Sequence, residues 1–341
     1  MDFAIYIVER NDVENQQMRK MLGKLAHPVR VIEESDVDAG RSKVDIVLLG
    51  ISDSEEDISV IRAKISRIRS LSPEAQIVLC TPEETKGLDT TVLHLEARAF
   101  LLKPLEESTF VTLLNKILAG MHRRKQREEY LKSGHKASRI TDVIGRSETM
   151  RGVMALIERV SASATTSVLL LGESGTGKGL FAQSIHQQSD RSSGPFIEIN
   201  CAALPPNLLE SELFGYEPGA FTDAKRQKIG LIELAHRGTL FLDEITEVDV
   251  QTQAKLLKVL DSRKLRRLGG QDQIEVDVRI VAATNRDIKE EIQERNFRED
   301  LYYRLNVVQI EIPPLRDRRE DIDMIATYYL GHYKKKFKKK N

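Results

Sequence analysis

The chain has 341 residues, of which 40% are hydrophobic and 30% charged, and its 52 basic and 52 acidic side chains balance to zero net charge. At about 150 residues per domain this length predicts two or three globular domains. The neutral balance argues against a globally basic nucleic-acid binder, and no apolar run is long enough to span a membrane. The amino terminus MDFAIYIVER lacks a basic leader and a cleavage site, which predicts a cytoplasmic protein without membrane attachment.

The two cysteines argue against a disulfide-stabilised protein and against a zinc-binding protein, and a cluster of lysines lies near the end of the chain. Cys80 and Cys201 are far apart and form no CxxC pair, so they predict small core residues and neither a disulfide framework nor a zinc site. The basic run from Lys334 to Lys340, interrupted by Phe337, reads as a solvated end; phosphate contact is the alternative.

The first 120 residues alternate between apolar segments and helical patterns. Strands are predicted at FAIYIV, VDIVLLG, QIVLC and ARAFLLKP, and helices around residues 18–25, 58–68 and 108–118. This alternation is typical of a parallel α/β domain.

A charged stretch separates this region from a second α/β pattern. Arg123 to Glu129 favours helix but has no apolar face wide enough for a core, and Ser133-Gly134 ends it, so residues 121–139 are predicted to be a helical linker. Residues 140–341 form the second domain, with strands at SVLLLG, PFIEIN, TLFLDE, VRIVAATN and VVQIEI.

A glycine-rich turn follows the first of these strands. GESGTGKG places Gly172, Gly177 and Lys178 in the spacing GxxxxGK, between a strand and a helix, as a phosphate loop requires. The glycines let backbone N–H groups point inward, and Lys178 reaches the β- and γ-phosphates. A chance glycine-rich turn is the alternative, and a Rossmann dehydrogenase is excluded because the spacing is not GxGxxG. Gly179 stands where many phosphate loops carry a Ser or Thr for Mg²⁺, so another residue must hold the metal.

The strand TLFLDE supplies that residue. Asp243 and Glu244 end the strand side by side, which predicts Asp243 toward Mg²⁺ and Glu244 polarising the attacking water. A solvated strand end is the alternative. Further along, Thr284 and Asn285 end the strand VRIVAATN, where a γ-phosphate sensor could sit.

Two arginines follow on a predicted helix. Arg298 and Arg304 in FREDLYYRL are six residues apart, and both could lean toward a neighbouring subunit, where an arginine stabilises transition-state charge. On spacing alone, ion pairs with Glu299, Asp300 or other surface acids account for them as well. Their position after the sensor strand favours the first interpretation.

Residues 140 to about 330 resemble the AAA+ domain of bacterial enhancer-binding proteins, ATPases that activate transcription by sigma-54 RNA polymerase. The segments that carry the resemblance are GESGTGK, FIEINCAAL, LESELFGYEPGAFTDA, GTLFLDEI, QAKLLKVL, RLGG, DVRIVAATN and FREDLYYRLNVVQIEIPPLRDR. It implies a P-loop AAA+ α/β fold and ATP with Mg²⁺ bound between the protomers of a ring, commonly a hexamer.

The resemblance also implies residue roles. Asn200 would be a switch that holds Glu244 off its water, and Arg298 and Arg304 would act in trans. The nucleotide-binding residues would be Ile144, Gly145, Gly172, Glu173, Ser174, Gly175, Thr176, Gly177, Lys178 and Gly179.

A loop in this family reads Gly-Ala-Phe-Thr-Gly-Ala and contacts sigma-54. The matching residues are Gly219, Ala220, Phe221, Thr222, Asp223 and Ala224. An aromatic tip can bury a large apolar area in a partner at a low cost in rotamer entropy. Asp223 replaces the second glycine, which narrows the backbone's φ range and adds a charge.

Residues 1–120 are partly similar to the receiver domain of two-component response regulators, which implies a flavodoxin-like doubly wound fold. Thr81 and Lys103 match the receiver's hydroxyl and lysine positions, but Gly50 stands where the phosphate-accepting aspartate belongs. The usual pair of Mg²⁺-binding acids is Glu9-Arg10, and a cation there repels Mg²⁺. Asp12 and Asp53 are poorly placed to substitute. A pseudo-receiver is therefore expected, folded but not switched by aspartyl phosphate.

The chain stops about where the family's helical lid and helix-turn-helix would begin, so DNA binding is not expected within it. The favoured function is an ATP-hydrolysing activator of sigma-54 RNA polymerase. The alternative is a truncated, non-catalytic protein that joins or inhibits rings of related activators, and a more distant one is an AAA+ remodeller of another target.

Overall fold

The computed structural model describes residues 2–32, 37, 43–51, 58–82, 97–132, 143–222 and 224–338. Its chain divides into two compact units, Met1–His122 and Arg123–Asn341, which are taken separately below. Asp53, Asp223 and residues 133–139 of the predicted linker lie outside the described residues.

The first unit is built on a five-stranded parallel sheet. Its strands are β1 (Phe3–Val8), β2 (Val29–Ile32), β3 (Ile46–Gly50), β4 (Gln76–Pro82) and β5 (Ala99–Lys103). Their order β2-β1-β3-β4-β5 is that of a flavodoxin-like doubly wound fold, which confirms the predicted fold class. The helices are α1 (Asp12–Leu22), α2 (Ile58–Leu71) and α3 (Glu107–Lys132).

Both faces of this sheet are covered, as a parallel sheet requires. Successive residues of the strands alternate between two apolar clusters, so Leu48 belongs to the cluster of α1 and α3 while Leu49 belongs to that of α2. Every residue of β3 is buried, which explains its continuous apolar sequence. Gly50 ends this buried strand at the carboxyl edge of the sheet, where ligand sites of such folds lie.

The second unit has its own five-stranded parallel sheet, in the order β14-β6-β13-β10-β7. These strands are β6 (Val168–Leu171), β7 (Phe196–Asn200), β10 (Thr239–Asp243), β13 (Arg279–Thr284) and β14 (Val308–Glu311). Two antiparallel pairs accompany it, β8 (Gly215–Tyr216) with β9 (Lys228–Ile229) and β11 (Lys264–Leu265) with β12 (Ile274–Glu275).

Eight helices of the described residues surround this sheet: α4 (Glu148–Ser161), α5 (Lys178–Gln187), α6 (Pro206–Phe214), α7 (Leu231–Leu234), α8 (Val250–Ser262), α9 (Ile288–Gln293), α10 (Glu299–Leu305) and α11 (Ile322–Lys338). Side-chain caps fix several starts; Asp249 accepts hydrogen bonds from the amides of Gln251 and Thr252 at the beginning of α8. The parallel register places Asn200 of β7 beside Asp243 of β10, so the polar strand ends meet at one edge.

The predicted strands are all present, and the differences lie in the helices, in β2 and in the two-residue strands β8, β9, β11 and β12, which were not predicted. The strand β2 was not predicted, because VRVI is short and carries an arginine. Helix α3 continues to Lys132 instead of ending near residue 118, since the charged stretch from Arg123 extends it. The placement of Arg298 on a helix was wrong: it precedes α10, with extended backbone, as its N-cap residue.

Cys80 and Cys201 are both buried, as predicted for small core residues. None of the described helices is long and apolar enough to cross a bilayer.

Candidate functional site

The glycine-rich turn joins β6 to α5 in the geometry of a phosphate loop. Gly175 and Gly177 have φ of 82° and 97°, a left-handed conformation that side chains rarely adopt. At Gly172 a Cβ would lie 2.8 Å from the backbone oxygen of Ile312, so no larger residue fits between the turn and the chain after β14. The backbone therefore curls in front of the positive N-terminus of α5.

Lys178 is the first residue of α5, and its side chain is buried inside the turn. Its Nζ donates to the backbone oxygens of Gly172 at 2.9 Å and Glu173 at 3.2 Å. The same nitrogen lies 3.7 Å from Oε1 of Glu244. Lys178 thus joins the phosphate loop to the acidic end of β10.

The two strand-end acids lie in different environments. Burial, and then the charge of Glu244, raise the pKa of Asp243. Glu244 follows with φ 52° and ψ 52°, the left-handed conformation, which is unusual for a residue with a side chain. This backbone turns the Glu244 carboxylate toward Lys178 and toward the backbone N–H of Asn285, which donates to Oε2 at 3.1 Å.

The residues proposed to sense or switch occupy the neighbouring strand ends. Asn200 uses its side-chain oxygen to accept a hydrogen bond from the Ala202 amide at 2.9 Å, so in this conformation it caps a short 3₁₀ turn instead of holding Glu244. Thr284 is fully buried and bonded to Thr246, whereas Asn285 is exposed. Asn285 is therefore the member of the Thr284–Asn285 pair whose side chain is accessible to a ligand.

Arg298 and Arg304 are both solvent-accessible and each pairs with a nearby acid. Arg298 donates through Nε and Nη2 to Asp300, one of the partners that the alternative interpretation names. Arg304 lies 3.2 Å from Asp261 and donates to the Leu260 backbone oxygen. Within one chain both arginines are thus surface ion pairs, of the kind that contributes little to stability.

A cavity of about 430 Å³ opens beside the phosphate loop. Six predicted nucleotide-binding residues line it: Ile144, Glu173, Ser174, Gly175, Thr176 and Gly177. The rest of the lining was not predicted, and consists of Val143, Leu180, Phe181, Pro314, Leu315, Arg316, Arg318, Ile325 and Tyr329. Its apolar and aromatic walls next to a phosphate loop suit a base joined to phosphates.

Asp321 organises one wall of this cavity. It is fully buried, and its Oδ1 accepts hydrogen bonds from the backbone N–H groups of Arg146 at 2.7 Å and Ser147 at 3.0 Å. The Ser147 hydroxyl donates to Oδ2 at 2.8 Å. Gly145 packs closely here, since a Cβ on it would lie 3.1 Å from Oδ2. Asp321 thereby fixes the turn that contains Ile144.

Two arginines connect the chain after β14 to the phosphate loop. Arg316 makes a two-pronged ion pair with Glu173, with distances of 2.8 and 2.6 Å. Arg318 is buried and donates to the Thr176 backbone oxygen at 3.3 Å. Only the motif PPLRDR in the family resemblance pointed to these residues.

The aromatic loop projects between β8 and β9. Phe221 is 44% exposed, and its ring lies against Tyr216 with the centroids 4.8 Å apart. Backbone hydrogen bonds from Gly219 to Ala224 and from Ala224 to Phe221 close the loop. Phe221 is therefore accessible to a partner in the described part of this loop.

Arg267 holds the base of this loop. It donates to Glu217 at 2.6 Å and makes a two-pronged contact with Glu233, which is 2% exposed. Gly269 packs on Ala220, because a Cβ at Gly269 would lie 2.8 Å from the Cβ of Ala220. The segment RLGG therefore supports the loop.

The receiver-like pocket of the first unit lacks an acceptor and contains an ion pair instead. A Cβ on Gly50 would lie 1.8 Å from Oε2 of Glu9, so the Glu9 carboxylate occupies the space in front of position 50. Lys103 donates to that oxygen at 2.7 Å and also pairs with Glu14, which was not predicted. Arg10 is exposed.

The ion pair shifts the pKa of Glu9 and the pKa of Lys103 in opposite directions. Burial alone raises the pKa of Glu9, but the hydrogen bond and charge of Lys103 outweigh it and hold that pKa below its ordinary value. Burial lowers the pKa of Lys103, yet the hydrogen bonds to Glu14 and Glu9 raise it overall. Both groups are therefore charged at neutral pH. Thr81, the residue at the predicted hydroxyl position, is buried on β4.

Residues 143–311 match the family described as the sigma-54 interaction domain. The chain is 40% identical over 289 residues to the regulatory protein AtoC of Escherichia coli, covering 85% of this chain and 62% of AtoC. It is 41% identical over 270 residues to the DNA-binding transcriptional regulator NtrC of E. coli, covering 79% of this chain and 56% of NtrC. The chain thus spans less than two thirds of either protein.

A solved structure also matches both units. The crystal structure of NtrX from Brucella abortus in complex with ATP has a TM-score of 0.53 and 28% identity, over 98% of this chain and 72% of NtrX. Together with the similarities to AtoC and NtrC, the family match shows that residues 143–311 of this chain belong to the sigma-54 interaction domain family.

Proposed function

We propose that this chain binds and hydrolyses ATP in an oligomeric ring and uses the energy to remodel sigma-54 RNA polymerase in the cytoplasm. The observation that carries the proposal is the approach of Lys178 to Glu244, 3.7 Å from Nζ to Oε1, between a phosphate loop and the acidic end of a neighbouring strand. The binding of ATP by the similar NtrX supports it.

The residues divide the chemistry between them. The backbone N–H groups of the turn and the N-terminus of α5 bind the phosphates, while Lys178 neutralises charge on the β- and γ-phosphates. Glu244 orients and polarises the water that attacks the γ-phosphorus. The backbone N–H of Asn285 donates to this acid, and the exposed Asn285 side chain can report the presence of the γ-phosphate.

The donor set of the site suits Mg²⁺. Magnesium is usually held by one or two carboxylates together with substrate phosphates and water, not by a cage of protein ligands. Asp243, a half-buried carboxylate beside Glu244 at the end of β10, is a ligand of this kind. Mg²⁺ would neutralise charge on the phosphates, and Asp243 would hold it.

Arginines of the neighbouring protomer in the oligomeric ring supply the remaining positive charge at the phosphates. Arg298 and Arg304 are solvent-accessible in the second unit, where Arg298 pairs with Asp300, and Arg304 with Asp261 and the Leu260 carbonyl. Both can exchange these surface partners for a phosphate of the neighbouring protomer. Arginines that act in this way accelerate phosphoryl transfer by about 10³–10⁵. A hexamer is the expected assembly.

The partner of the aromatic loop is sigma-54. Phe221 and Thr222 are the residues at its tip, and the accessible ring of Phe221 offers apolar area to a partner surface. Nucleotide-dependent movement of the loop base would then be transmitted to the polymerase.

ATP turnover of point variants tests the proposal. We expect Lys178→Ala to lose nucleotide binding and turnover, and Glu244→Gln to bind ATP normally while turnover falls by at least about 10². Lys264→Ala and Glu290→Gln, exposed residues of the same unit, are the matched controls.

Turnover of Lys178→Ala or Glu244→Gln at the unaltered rate would refute the proposed catalytic site. Normal nucleotide binding with background turnover in the unaltered chain would favour the alternative function, a non-catalytic member of mixed rings. Mixing Arg304→Ala with Lys178→Ala protomers tests the ring: partial recovery of turnover is expected, because one interface then contains both an intact loop and an intact arginine.

A further inference from the structure

The last ten residues of α3 form part of the second unit. In this linker segment (residues 123–132) the half-buried positions are Arg123, Gln126, Arg127 and Tyr130, whereas the residues between them are exposed. The spacing i, i+3, i+4, i+7 describes one face of a helix. The segment therefore has a covered face, although its sequence is too charged to predict one.

Tyr130 makes the first contact of that face. Its hydroxyl donates to the backbone oxygen of Glu198 at 2.9 Å, and its ring packs against the apolar cluster on one side of the second sheet. Burial first, and then the charges of Glu212 and Glu198, raise the pKa of Tyr130 to about 12, so the hydroxyl stays protonated and remains a donor at neutral pH.

The strand that Tyr130 contacts is an edge strand. Among the described strands β7 pairs with β10 alone, so within this part of the chain its outer side has backbone groups without strand partners. A tyrosine hydroxyl on one of these carbonyls fixes the strand where the sheet does not. Two residues further on, Asn200 stands in register with Asp243, the candidate metal ligand. The contact is thus made on the strand that borders the reaction site.

Arg123 makes the second contact. Its Nη1 lies 3.6 Å from Oε1 of Glu233, which is almost fully buried. Glu233 is also held by Arg267, and Arg267 reaches Glu217 at the base of the aromatic loop. A charge on the linker segment is therefore connected to the loop through two shared partners.

We propose that the linker segment is a structural part of the ATPase unit on which turnover depends, with Tyr130 positioning β7 at the reaction site and Arg123 completing the ion-pair network at the loop base. This inference rests on the proposed function. Both residues act through others, so they are positioning residues and do not touch the nucleotide.

The proposal predicts a separation of binding from turnover. The phosphate loop and the walls of the nucleotide cavity contain neither β7 nor the linker segment, so nucleotide affinity should not depend on Tyr130. Asn200 and Asp243 lie side by side at the strand ends where the metal and the attacking water would bind, so kcat should depend on Tyr130.

The test uses the full chain with Tyr130→Phe, which removes one oxygen and keeps the ring, and Arg123→Gln. Glu129→Gln and Arg124→Gln, on the exposed face of the same helix, are the controls. Hydrogen–deuterium exchange is measured over residues 196–203 and 215–229, together with the Kd of a fluorescent ATP analogue, kcat and KM.

We expect residues 196–203 to exchange faster in Tyr130→Phe than in the unaltered chain. The kcat should fall by about 3- to 10-fold, which corresponds to the loss of one net hydrogen bond. The Kd should stay within about two-fold of the unaltered value. Arg123→Gln should exchange faster over 215–229. The controls should match the unaltered chain.

Two results would overturn the inference: unaltered exchange over 196–203 in Tyr130→Phe, or faster exchange there with an unaltered kcat. An unaltered chain without turnover would refute the proposed function instead. In that case the exchange data still decide whether the linker segment holds β7.

Discussion

The carboxylate of Glu9 lies where a side chain on Gly50 would project, with only 1.8 Å between Oε2 and the position of a Cβ. The glycine and the glutamate therefore depend on each other: the missing side chain makes room for a carboxylate, and Lys103 pairs with that carboxylate. The receiver-like pocket thus has a glycine at position 50 and a buried charge pair in front of it.

Gly50→Ala should destabilise the first unit. The new Cβ displaces a buried carboxylate from Lys103, and such overpacking costs about 1–3 kcal/mol. Chemical denaturation measures the loss. Gly120→Ala is the control, because a Cβ there meets no atom within 4 Å and a helical alanine is favoured. Equal stability of Gly50→Ala and the unaltered chain would contradict the described packing.

The chain should not accept a phosphoryl group on the first unit. After incubation with acetyl phosphate, mass spectrometry should detect no hydroxylamine-labile phosphate, and Gly50→Asp should behave in the same way because Glu9 occupies the space and pairs with Lys103. A working receiver treated in parallel is the positive control. Labelling of the unaltered chain would refute the pseudo-receiver interpretation.

The Glu9–Lys103 pair should stabilise the chain within a defined pH window. The lowered pKa of Glu9 gives stability that is present above the ordinary glutamate pKa and lost as pH falls through the folded value. The raised pKa of Lys103 gives stability present below the ordinary lysine pKa and lost as pH rises through the folded value.

Glu9→Gln tests this window. Removing one partner of a buried pair costs about 3 kcal/mol, so the variant should unfold at lower denaturant near neutral pH and approach the unaltered chain below about pH 4. A difference that does not change from neutral to acidic pH would show that the charge of Glu9 is not responsible.

Asp321→Asn should weaken nucleotide binding without touching the nucleotide. The amide can accept fewer of the three hydrogen bonds from Arg146 and Ser147, which costs about 2 kcal/mol of stability and loosens the turn containing Ile144. Isothermal titration should show a higher Kd for ATP. Asp323→Asn, an exposed neighbour, should bind like the unaltered chain.

Phe221→Ala should separate partner binding from folding. The ring is 44% exposed and contacts Tyr216, so its loss costs about 1 kcal/mol of stability. If the Phe221 ring is the aromatic anchor of the contact with sigma-54, Phe221→Ala should weaken the binding free energy by at least about 2 kcal/mol. Leu208→Ala, another exposed apolar residue, is the control, and equal affinity of both variants would exclude this loop as the contact.

The strands of both units could be predicted from sequence because buried parallel strands are continuous apolar runs, as in β3 and β10. The phosphate loop and the acids that end β10 were found for the same reason, since each directly follows such a run. Asp321 could not be found in this way: it lies 174 residues from Ser147, and no periodic pattern reports so distant a contact.

Side-chain geometry accounts for the remaining differences. The sequence shows that Gly50 has no carboxylate, but not that the Glu9 side chain fills the space. The charges between Arg123 and Tyr130 suggested a solvated linker, because half-buried polar residues leave no apolar stripe to recognise. Burial of such residues depends on partners elsewhere in the chain.

At Glu244 the backbone conformation lowers the stability of the fold, while the side chain supplies the proposed catalytic carboxylate. A side chain in its left-handed conformation costs about 1 kcal/mol, which a glycine would not incur. A glycine at position 244 would remove this backbone cost and also the carboxylate, so the stability of the turn and the proposed catalytic role of Glu244 make opposite demands on one residue.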